Sequence, residues 1–339
     1  MLSDMFVYRI VLSDTQTYRV IWVNLIGSRV HDRILEKKRR LGAHRPLPPS
    51  KVRKIQQQMQ IEYIYNSNAI EGNTLTLRET QLVLEGGTAI GGKSLREHLE
   101  AKNHPKAIEY IVRIAGRDLK EQDILALHRL IMKGIEKESG RYRSSEVRIA
   151  GANFLSPPAY EVPFLMKELI DWCNQNPDEL RPIELASVLH HRFVHIHPFH
   201  DGNGRVGRLL MNLVLIRRGY PVSTILNADR KKYYDVLKRA DNGHMAPLAD
   251  FIAATVERSL DLWLRALEPT KKDDILLSLA EASKGSPYSS EYLSLLARKR
   301  RIGAVKIGRK WMITKRSLQR YSEELQRDGR REKQKQTRS

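Results

Sequence analysis

The stretch HIHPFHDGNGRVGR, residues 195–208, constrains the fold more than any other part of the chain. Apolar residues at helical spacing precede it in RPIELASVLHHRFVHI and resume in RVGRLLMNLVLIRRG. The residues between these two patterns include one proline and two glycines, which interrupt helices. The stretch therefore predicts two helices joined by a tight turn that gathers histidines, an aspartate and two arginines.

A zinc site is the first chemistry that this turn suggests. His191 and His195 are four residues apart and share a face of the predicted helix, and His197 and His200 follow closely. However, the zinc motif with a glutamate between two helical histidines is missing, and Cys173 is the only cysteine of the chain. No second carboxylate stands at ligand spacing. Zinc is therefore the weaker hypothesis for the turn.

An anion site uses more of the residues. Gly202 and Gly204 allow a ligand to approach the main chain closely. The amides of Asn203, Gly204 and Arg205 lie at the positive end of the second predicted helix, where anions bind. Arg205 and Arg208 are three residues apart on one helix face and can donate forked hydrogen bonds to phosphate oxygens. The pattern therefore favours a di- or triphosphate ligand.

Two further side chains of the turn are suited to chemistry on such a ligand. Asp201 offers a hard oxygen ligand for Mg²⁺ just before the glycines. His197 is followed by the rigid Pro198 and by Phe199, which we expect to be anchored in the core. An imidazole fixed in this way is suited to accept a proton near neutral pH.

These residues resemble a known family. HPFHDGNGRVGR matches the signature of the Fic (filamentation-induced-by-cAMP) domain proteins at every defining position. DILALHRLIMKGI followed by GRYRSSEVRIAG resembles the helix and flap of that family, and RKKYYDVLKRADNG resembles its nucleotide-pocket helix. The resemblance covers about residues 55–260 and implies a mainly α fold, a Fic-type helical bundle with a β-hairpin flap.

The resemblance also implies an activity, which is nucleotidyl transfer, usually of AMP from ATP to a protein hydroxyl. His197 would deprotonate the target Ser, Thr or Tyr, and Asp201 would hold Mg²⁺ on the α- and β-phosphates. The flap, from Val147 to about Pro158, would hold the target segment by strand addition. The nucleotide would be bound by an anion hole of Gly202, Asn203 and Gly204, by Arg205 on the β-phosphate, by Arg208 on the γ-phosphate, and by Tyr234 and Asp241 beside the adenine. Family members often have asparagine where this chain has Asp241.

The segment SNAIEGN, residues 67–73, resembles the inhibitory motif of the same family. Glu71 would pair with Arg208 and occupy the place that the γ-phosphate needs, so that ATP could bind only with a misaligned α-phosphate. Ser67 would help to position the inhibitory helix. In some relatives the same glutamate directs water at an AMP-modified target, so removal of AMP is a competing prediction.

The charge of the chain is concentrated near its end. Formal net charge is +20, which favours an anionic partner, and residues 271–339 hold 19 Lys and Arg against 8 Asp and Glu. This segment reads as two short helices, SLAEAS and SSEYLSLLARKRR with Ser289 or Ser290 as N-cap, then a hairpin, AVKIGRKWMIT, and a closing helix. It resembles the excisionase-like winged helix-turn-helix modules. The resemblance implies DNA binding through Arg298, Lys299, Arg300, Lys306, Arg309 and Lys310.

The first residues give weaker signals. The apolar stretches MFVYRIVL and YRVIWVNLI are interrupted by Arg9 and Arg19 and are far shorter than the ~20 residues of a membrane span. They predict short strands or a poorly ordered extension, with no membrane partner and no secretory signal. The single cysteine fits a cytoplasmic protein.

The sequence thus predicts five regions and one leading function. The regions are an N-terminal extension and linker (1–50), N-terminal helices with the inhibitory motif (51–120), a Fic catalytic core (121–268), a helix-turn-helix domain (269–325) and a basic disordered tail (326–339). The leading function is a Mg²⁺/ATP-dependent protein adenylyltransferase that is inhibited by Glu71. Alternatives are a DNA-binding transcriptional regulator whose Fic core senses nucleotide, and a transferase with another nucleotide donor. A homodimer is left open.

Overall fold

The computed structural model is mainly helical and forms two compact units, residues 1–263 and 264–339. It describes residues 9–11, 19–21, 24–44, 49–147, 156–268, 275–307 and 310–336. The helices of the first unit are α1 (Ser28–Ala43), α2 (Pro49–Ile70), α3 (Leu77–Gly86), α4 (Leu95–Ile114), α5 (Glu121–Ile131), α6 (Val162–Gln175), α7 (Pro182–Ile196), α8 (Asn203–Arg217), α9 (Arg230–Asp241) and α10 (Ala246–Leu267), the last of which runs across the boundary. Within the described ranges, none of the helices has the length and apolar content that crossing a bilayer demands.

Helices α7 and α8 form the centre of the first unit. Residues 183–191 of α7 and 205–215 of α8 are all buried, which is typical of helices surrounded by other elements. The two helices approach closely at Gly207, where a Cβ atom would lie only 3.0 Å from His190 Nδ1 and from Val194 Cγ1. Helices α2, α4 and α5 pack against α8, and α6 and α9 pack against α7. The predicted turn therefore lies at one end of the central helix pair.

Helix α1 differs from the prediction of an extension and linker over residues 1–50. Its Ile34 and Leu41 are buried. Lys37 Nζ lies 2.8 Å from Glu257 Oε1 and 2.7 Å from Asp261 Oδ1 on α10. Helix α1 has few apolar residues, and ion pairs to α10 help to hold it in place. Such pairing cannot be read from local periodicity.

Before α1, two short strands pair antiparallel: β1 (Arg9–Val11) and β2 (Arg19–Ile21), with Ile10 opposite Val20. They agree with the short strands that the sequence predicts there. The predicted flap is described only at its ends, since residues 148–155 lie outside the described residues. Those ends are bridged, because Ser156 Oγ donates a hydrogen bond to the Val147 carbonyl at 2.8 Å.

The second unit contains β3 (Leu276–Ser278), α11 (Leu279–Lys284), α12 (Ser290–Arg298), β4 (Ala304–Ile307), β5 (Lys310–Thr314) and α13 (Lys315–Gln336). The strands form an antiparallel sheet in the order β3-β5-β4, and the predicted hairpin is the β4–β5 pair. Its core includes Leu293, Ile302 and Ile313. Strand β3 is not among the predicted elements.

Helix α13 also differs from the prediction of a disordered tail that starts at residue 326. It continues to Gln336. The tail has few apolar residues, which is why the sequence predicts disorder. It is, however, rich in Arg, Lys, Gln and Glu, all of which have high helix propensity.

Candidate active site

The turn between α7 and α8 is fixed by its own hydrogen bonds. His197 ends α7 in the left-handed conformation, with φ 51° and ψ 59°, and its N–H donates to the Phe193 carbonyl. The Asn203 side chain accepts from the Phe199 N–H at 3.0 Å and donates to the Phe199 carbonyl at 2.8 Å. Gly202 has a φ of 79°, which disfavours other residues. Both ends of the Asn203 amide are therefore held within the turn, which fixes the side chain and leaves its main-chain N–H directed to a ligand.

The imidazole of His197 is arranged as a neutral base. Its Nδ1 lies 3.3 Å from the Val194 carbonyl oxygen, a contact that requires the proton on Nδ1 and makes Nε2 the acceptor. Burial lowers the pKa of His197 below its usual value, and the charge of Arg143 adds to this effect. A neutral imidazole with a free acceptor nitrogen can take a proton from an alcohol.

Arg143 is a residue that the sequence does not single out. It is buried, its Nε donates to the His197 carbonyl and its N–H donates to the Pro198 carbonyl, both at 2.9 Å. Its Nη2 donates to Pro157 and its Nη1 to Ser145. One guanidinium thus joins the residue before the last position of the flap, and the segment that leads into the flap, to the main chain of His197. An arginine in the charged stretch GRYRSSEVR carries no local signal of this role.

The side chain of His128, on α5, packs against the same turn. Its ring stacks on Phe199 with centroids 3.7 Å apart. The Gly140 N–H donates to Nδ1 at 2.8 Å, and Nε2 lies 3.0 Å from the Asp201 carbonyl oxygen. These partners require a neutral ring with its proton on Nε2, and burial lowers the pKa of His128 to about 4.

Glu71 lies against the N-terminus of α8. Its Oε1 is 2.8 Å from Arg208 Nη1. A Cβ atom at Gly204 would run into the Glu71 carboxylate, so glycine at this position allows the carboxylate to approach the main chain closely. Burial alone would lower the pKa of Arg208, but the Glu71 carboxylate raises it above its usual value. A carboxylate therefore occupies the helix terminus that the sequence predicts to bind phosphate.

Ser67 completes this arrangement from α2. Its Oγ accepts a hydrogen bond from Arg208 Nε at 3.1 Å, and its carbonyl accepts from Nη2 at 2.8 Å. Arg208 is 1 % exposed, and Ser67 is buried as well. The structure thus brings the predicted inhibitory residues together with the predicted clamp.

Asp201 lies at the more open side of the turn. Its carboxylate accepts from Arg205 Nη2 at 3.2 Å and from Arg96 of α4. Burial pushes the pKa of Asp201 upward, but the charge of Arg205 and the other donors bring it below its usual value. The group is therefore ionised near neutral pH.

Arg205 faces inward, away from bulk solvent. It is 1 % exposed, and its Nη1 lies 3.1 Å from Glu100 Oε1 of α4. In this arrangement its guanidinium orients Asp201, and its contact with a β-phosphate stays a prediction.

The two residues predicted beside the adenine lie on α9 in different surroundings. Tyr234 is beside Arg230, whose guanidinium carbon is 5.1 Å from the ring centroid. Burial raises the pKa of Tyr234, and the negative charge of Glu71 adds to the shift. Asp241 is the last residue of α9, and its Oδ1 accepts a hydrogen bond from His191 Nε2 at 2.8 Å. Burial would raise the pKa of Asp241, but its histidine partners lower it to about 2.

The predicted DNA contacts all belong to the second unit. Arg298 and Lys299 are exposed at the end of α12, and Arg300 follows them with a φ of 53°. Lys306 on β4 and Lys310 on β5 are exposed as well. Arg309 lies outside the described residues.

The comparisons with known proteins concern the family of the chain. The model of the Fic/DOC family matches residues 118–215. The protein adenylyltransferase Fic of Drosophila willistoni is 37% identical over 240 residues, which is 70% of this chain and 48% of that protein. The chain therefore spans about half the length of the curated relatives that it matches.

Solved structures are similar to this chain in both fold and sequence. A Fic-domain-containing signalling protein from Bacteroides thetaiotaomicron is 33% identical with a TM-score of 0.65, and the match covers 72% of this chain and 100% of that one. Fic-1 from C. elegans is 31% identical with a TM-score of 0.61, over 70% of each chain. The chain belongs to the Fic/DOC family.

Proposed function

We propose that this protein is an adenylyltransferase that transfers AMP from ATP to the hydroxyl group of a Ser, Thr or Tyr side chain of a target protein. The observation that carries the proposal is the neutral imidazole of His197, fixed beside the glycine-rich N-terminus of α8. The activity named for the Drosophila relatives supports it.

In this reaction the target oxygen attacks the α-phosphorus of ATP. A new P–O bond forms, the bond to pyrophosphate breaks, and the hydroxyl proton passes to Nε2 of His197. The main-chain N–H groups of Asn203 and Gly204 stabilise the phosphate charge, and that of Gly202, which here donates to the Asp201 carboxylate, joins them when it is released. Arg205 and Arg208 bind the β- and γ-phosphates. Positioning and charge stabilisation are the main requirements of such a transfer.

Asp201 fits the role of a Mg²⁺ ligand. Its ionised carboxylate is partly exposed, beside the helix terminus that would hold the phosphates. Mg²⁺ bound there would neutralise phosphate charge. Arg205 and the Nη2 of Arg96 contact this carboxylate and keep it oriented.

We propose that Glu71 inhibits the transfer. Its contact with Arg208 occupies the guanidinium that the γ-phosphate requires, and the same carboxylate lies against Gly204 at the start of α8. ATP would therefore have to displace a charge-assisted pair before its α-phosphate could align. Ser67 holds Arg208 in the inhibited position.

The Glu71→Gly variant tests both proposals. Incorporation of α-labelled AMP into the protein itself or into a cell extract should rise by at least about tenfold over the wild type, which corresponds to about 1.4 kcal/mol. Glu62→Gln is the matched control, because Glu62 lies on α2, the helix that ends just before Glu71, but pairs with Arg258. An unchanged signal in Glu71→Gly would contradict inhibition, and an absent signal in all variants would contradict the transferase.

The donor is identified in the same preparation. Glu71→Gly protein is incubated with mixed nucleotides and analysed by mass spectrometry, because the added mass identifies the transferred group. An added AMP supports the proposal. Addition of another nucleotide would retain the transferase and change the donor. Release of AMP from a modified target by the wild type would favour the competing removal activity.

For the second unit we propose DNA binding by a winged helix-turn-helix. The favouring observation is the set of exposed basic side chains on α12 and on the β4–β5 hairpin. The end of α12 would approach the major groove, and the hairpin lysines would contact phosphates. Fluorescence anisotropy with duplex DNA should show binding that weakens steeply with salt. No binding at low salt would contradict this proposal.

A further inference from the structure

A second group of chemically competent side chains lies between α7 and α9. His191 and His195 are four residues apart on α7, so that both rings project from one face of the helix. Asp241 faces them from the last position of α9. His191 Nε2 is 2.8 Å and His195 Nδ1 is 3.5 Å from Asp241 Oδ1. One ligand atom from each of the three residues lies within 4.8 Å of the others.

The donor set is that of a transition-metal site. Two imidazole nitrogens and one carboxylate oxygen suit Zn²⁺, Co²⁺ or Ni²⁺. Zinc bonds of about 2.0–2.1 Å in a tetrahedral site place neighbouring ligand atoms roughly 3.3 Å apart. The separations of 2.8 and 3.5 Å from Asp241 Oδ1 lie on both sides of this value, and the two imidazole nitrogens lie within 4.8 Å of each other. Movements of about 1.5 Å or less would therefore complete the geometry.

Exposure differs across the three residues in the way that an exchangeable site needs. The side chains of His191 and Asp241 are 11% and 19% exposed, whereas that of His195 is 38% exposed. The exposure of His195 gives an ion an entry path from solvent. His190, the neighbour of His191, shows the contrast: it is fully enclosed, and its Nε2 bonds to the Tyr233 hydroxyl at 2.7 Å.

We propose that His191, His195 and Asp241 form a binding site for a divalent transition metal such as Zn²⁺. The site is separate from the Mg²⁺ position at Asp201 and does not depend on the proposed transferase function. The metal joins α7, which ends at the base His197, to α9, which carries Tyr234. An Asp241 oxygen that donates electron density to a metal is a weaker hydrogen-bond acceptor for adenine. Metal loading would therefore also affect how the nucleotide base is bound.

The test is isothermal titration of the full chain, without an affinity tag, with ZnCl₂ in the absence of nucleotide. We expect one equivalent to bind in the wild type. His195→Ala and Asp241→Asn should each weaken binding by at least about tenfold. Two control variants should still bind one equivalent of Zn²⁺. They are His200→Ala, which removes an exposed histidine of the turn between α7 and α8, and Asp201→Asn, which changes the predicted Mg²⁺ ligand.

A Co²⁺ titration provides a second readout. The wild type and both controls should develop a visible absorption band of a four- or five-coordinate ion, and the two ligand variants should lack it. Asp241→Asn keeps the size of the side chain, so the result does not depend on a cavity. The proposal is wrong if the wild type binds no equivalent, if the ligand variants bind as the wild type does, or if Asp201→Asn alone abolishes binding.

Discussion

The first turns of α8 and the second unit use charge in opposite ways. On α8, Arg205 and Arg208 are each 1 % exposed, and each has a carboxylate partner. In the second unit, Lys299, Lys306 and Lys310 are exposed. A buried, paired charge acts only at one position, because moving it would leave its partner uncompensated. Exposed charges attract an anion over a broad surface and are screened by salt. Specific chemistry should therefore reside in the turn, and salt-dependent association in the second unit.

The largest effect should come from replacing His197, the proposed general base. In the Glu71→Gly background, His197→Ala should lower the rate of AMP transfer by about 10²–10⁴-fold, the usual contribution of a general base. Single-turnover transfer of α-labelled AMP measures this loss. His200→Ala is the matched control, because His200 is the exposed histidine of the same turn and should leave the rate within a few-fold.

The pH dependence of that rate adds a second check on the base. Only neutral His197 accepts a proton, and burial lowers its pKa below 6.5. The rate of the Glu71→Gly variant should therefore rise with pH through a midpoint below 6.5 and then level off. A midpoint clearly above 6.5 would show that the imidazole is not held neutral in the way that the structure indicates.

The next largest effect is a loss of stability in acid, which we expect for the first unit and not for the second. Burial lowers the pKa of His104 to about 3, and the charges of Arg205 and Arg208 add to this, whereas residues 264–339 contain no histidine. Below pH 6.5 the unfolded chain binds a proton that folded His104 does not, so the free energy of unfolding of the first unit falls as pH drops. From pH 6.5 to 5.0 the part of this loss that His104 contributes should be roughly 1–2 kcal/mol, and the other buried histidines of the first unit add to it.

Denaturant unfolding at the two pH values measures this loss. His104→Gln should remove its share of the pH dependence, and His200→Gln should keep it, because His200 is exposed. Equal pH dependence in both variants would contradict a buried, neutral His104. The second unit should not contribute in this pH window.

Salt should distinguish the second unit from the first. Affinity for DNA falls as salt rises, so the slope of log affinity against log salt is negative. If Lys306 and Lys310 contact phosphates, replacing both by alanine should make this slope less steep by about 2. The double variant Lys102→Ala/Lys106→Ala removes the same charge from exposed positions of α4 and is the matched control. Anisotropy titrations at several salt concentrations give the slopes. Equal slopes for both double variants would mean that only total charge matters.

The sequence predicts those parts of the molecule whose cause is local. The turn at 197–204 follows from proline and glycine between two periodic stretches, and the pairing of Glu71 with Arg208 follows from the resemblance of SNAIEGN. The role of Arg143 depends on carbonyl groups of the flap and of the turn, which the fold alone brings together.

The same reason explains the elements that the sequence does not predict. Helix α1 is anchored by Glu257, more than 200 residues away, and strand β3 pairs with β5 across the second unit. The sequence also does not predict the neighbours of Asp241. The family resemblance predicts that Asp241 lies beside the adenine, whereas in the fold its carboxylate contacts two histidines of α7.

The smallest effect compares the same kind of helix cap in the two units. Ser289 Oγ accepts from the Tyr292 N–H at the start of α12, and Ser94 Oγ accepts from the Glu97 N–H at the start of α4. Replacing either serine by alanine should cost about 1 kcal/mol. The same loss lowers the melting temperature of a 60–100-residue domain by about 4–8 °C and that of a 150–250-residue domain by about 2–4 °C.

Calorimetry of the full chain should therefore show a larger shift of the second unit's transition for Ser289→Ala than of the first unit's transition for Ser94→Ala. Ser290→Ala is the control, because Ser290 Oγ bonds to the adjacent Glu291 side chain rather than to a helix amide. A shift for Ser290→Ala as large as that for Ser289→Ala would place the cap at the wrong serine. Equal shifts for Ser289→Ala and Ser94→Ala would mean that the two units melt as one, and the contrast between them would then apply to their charges alone.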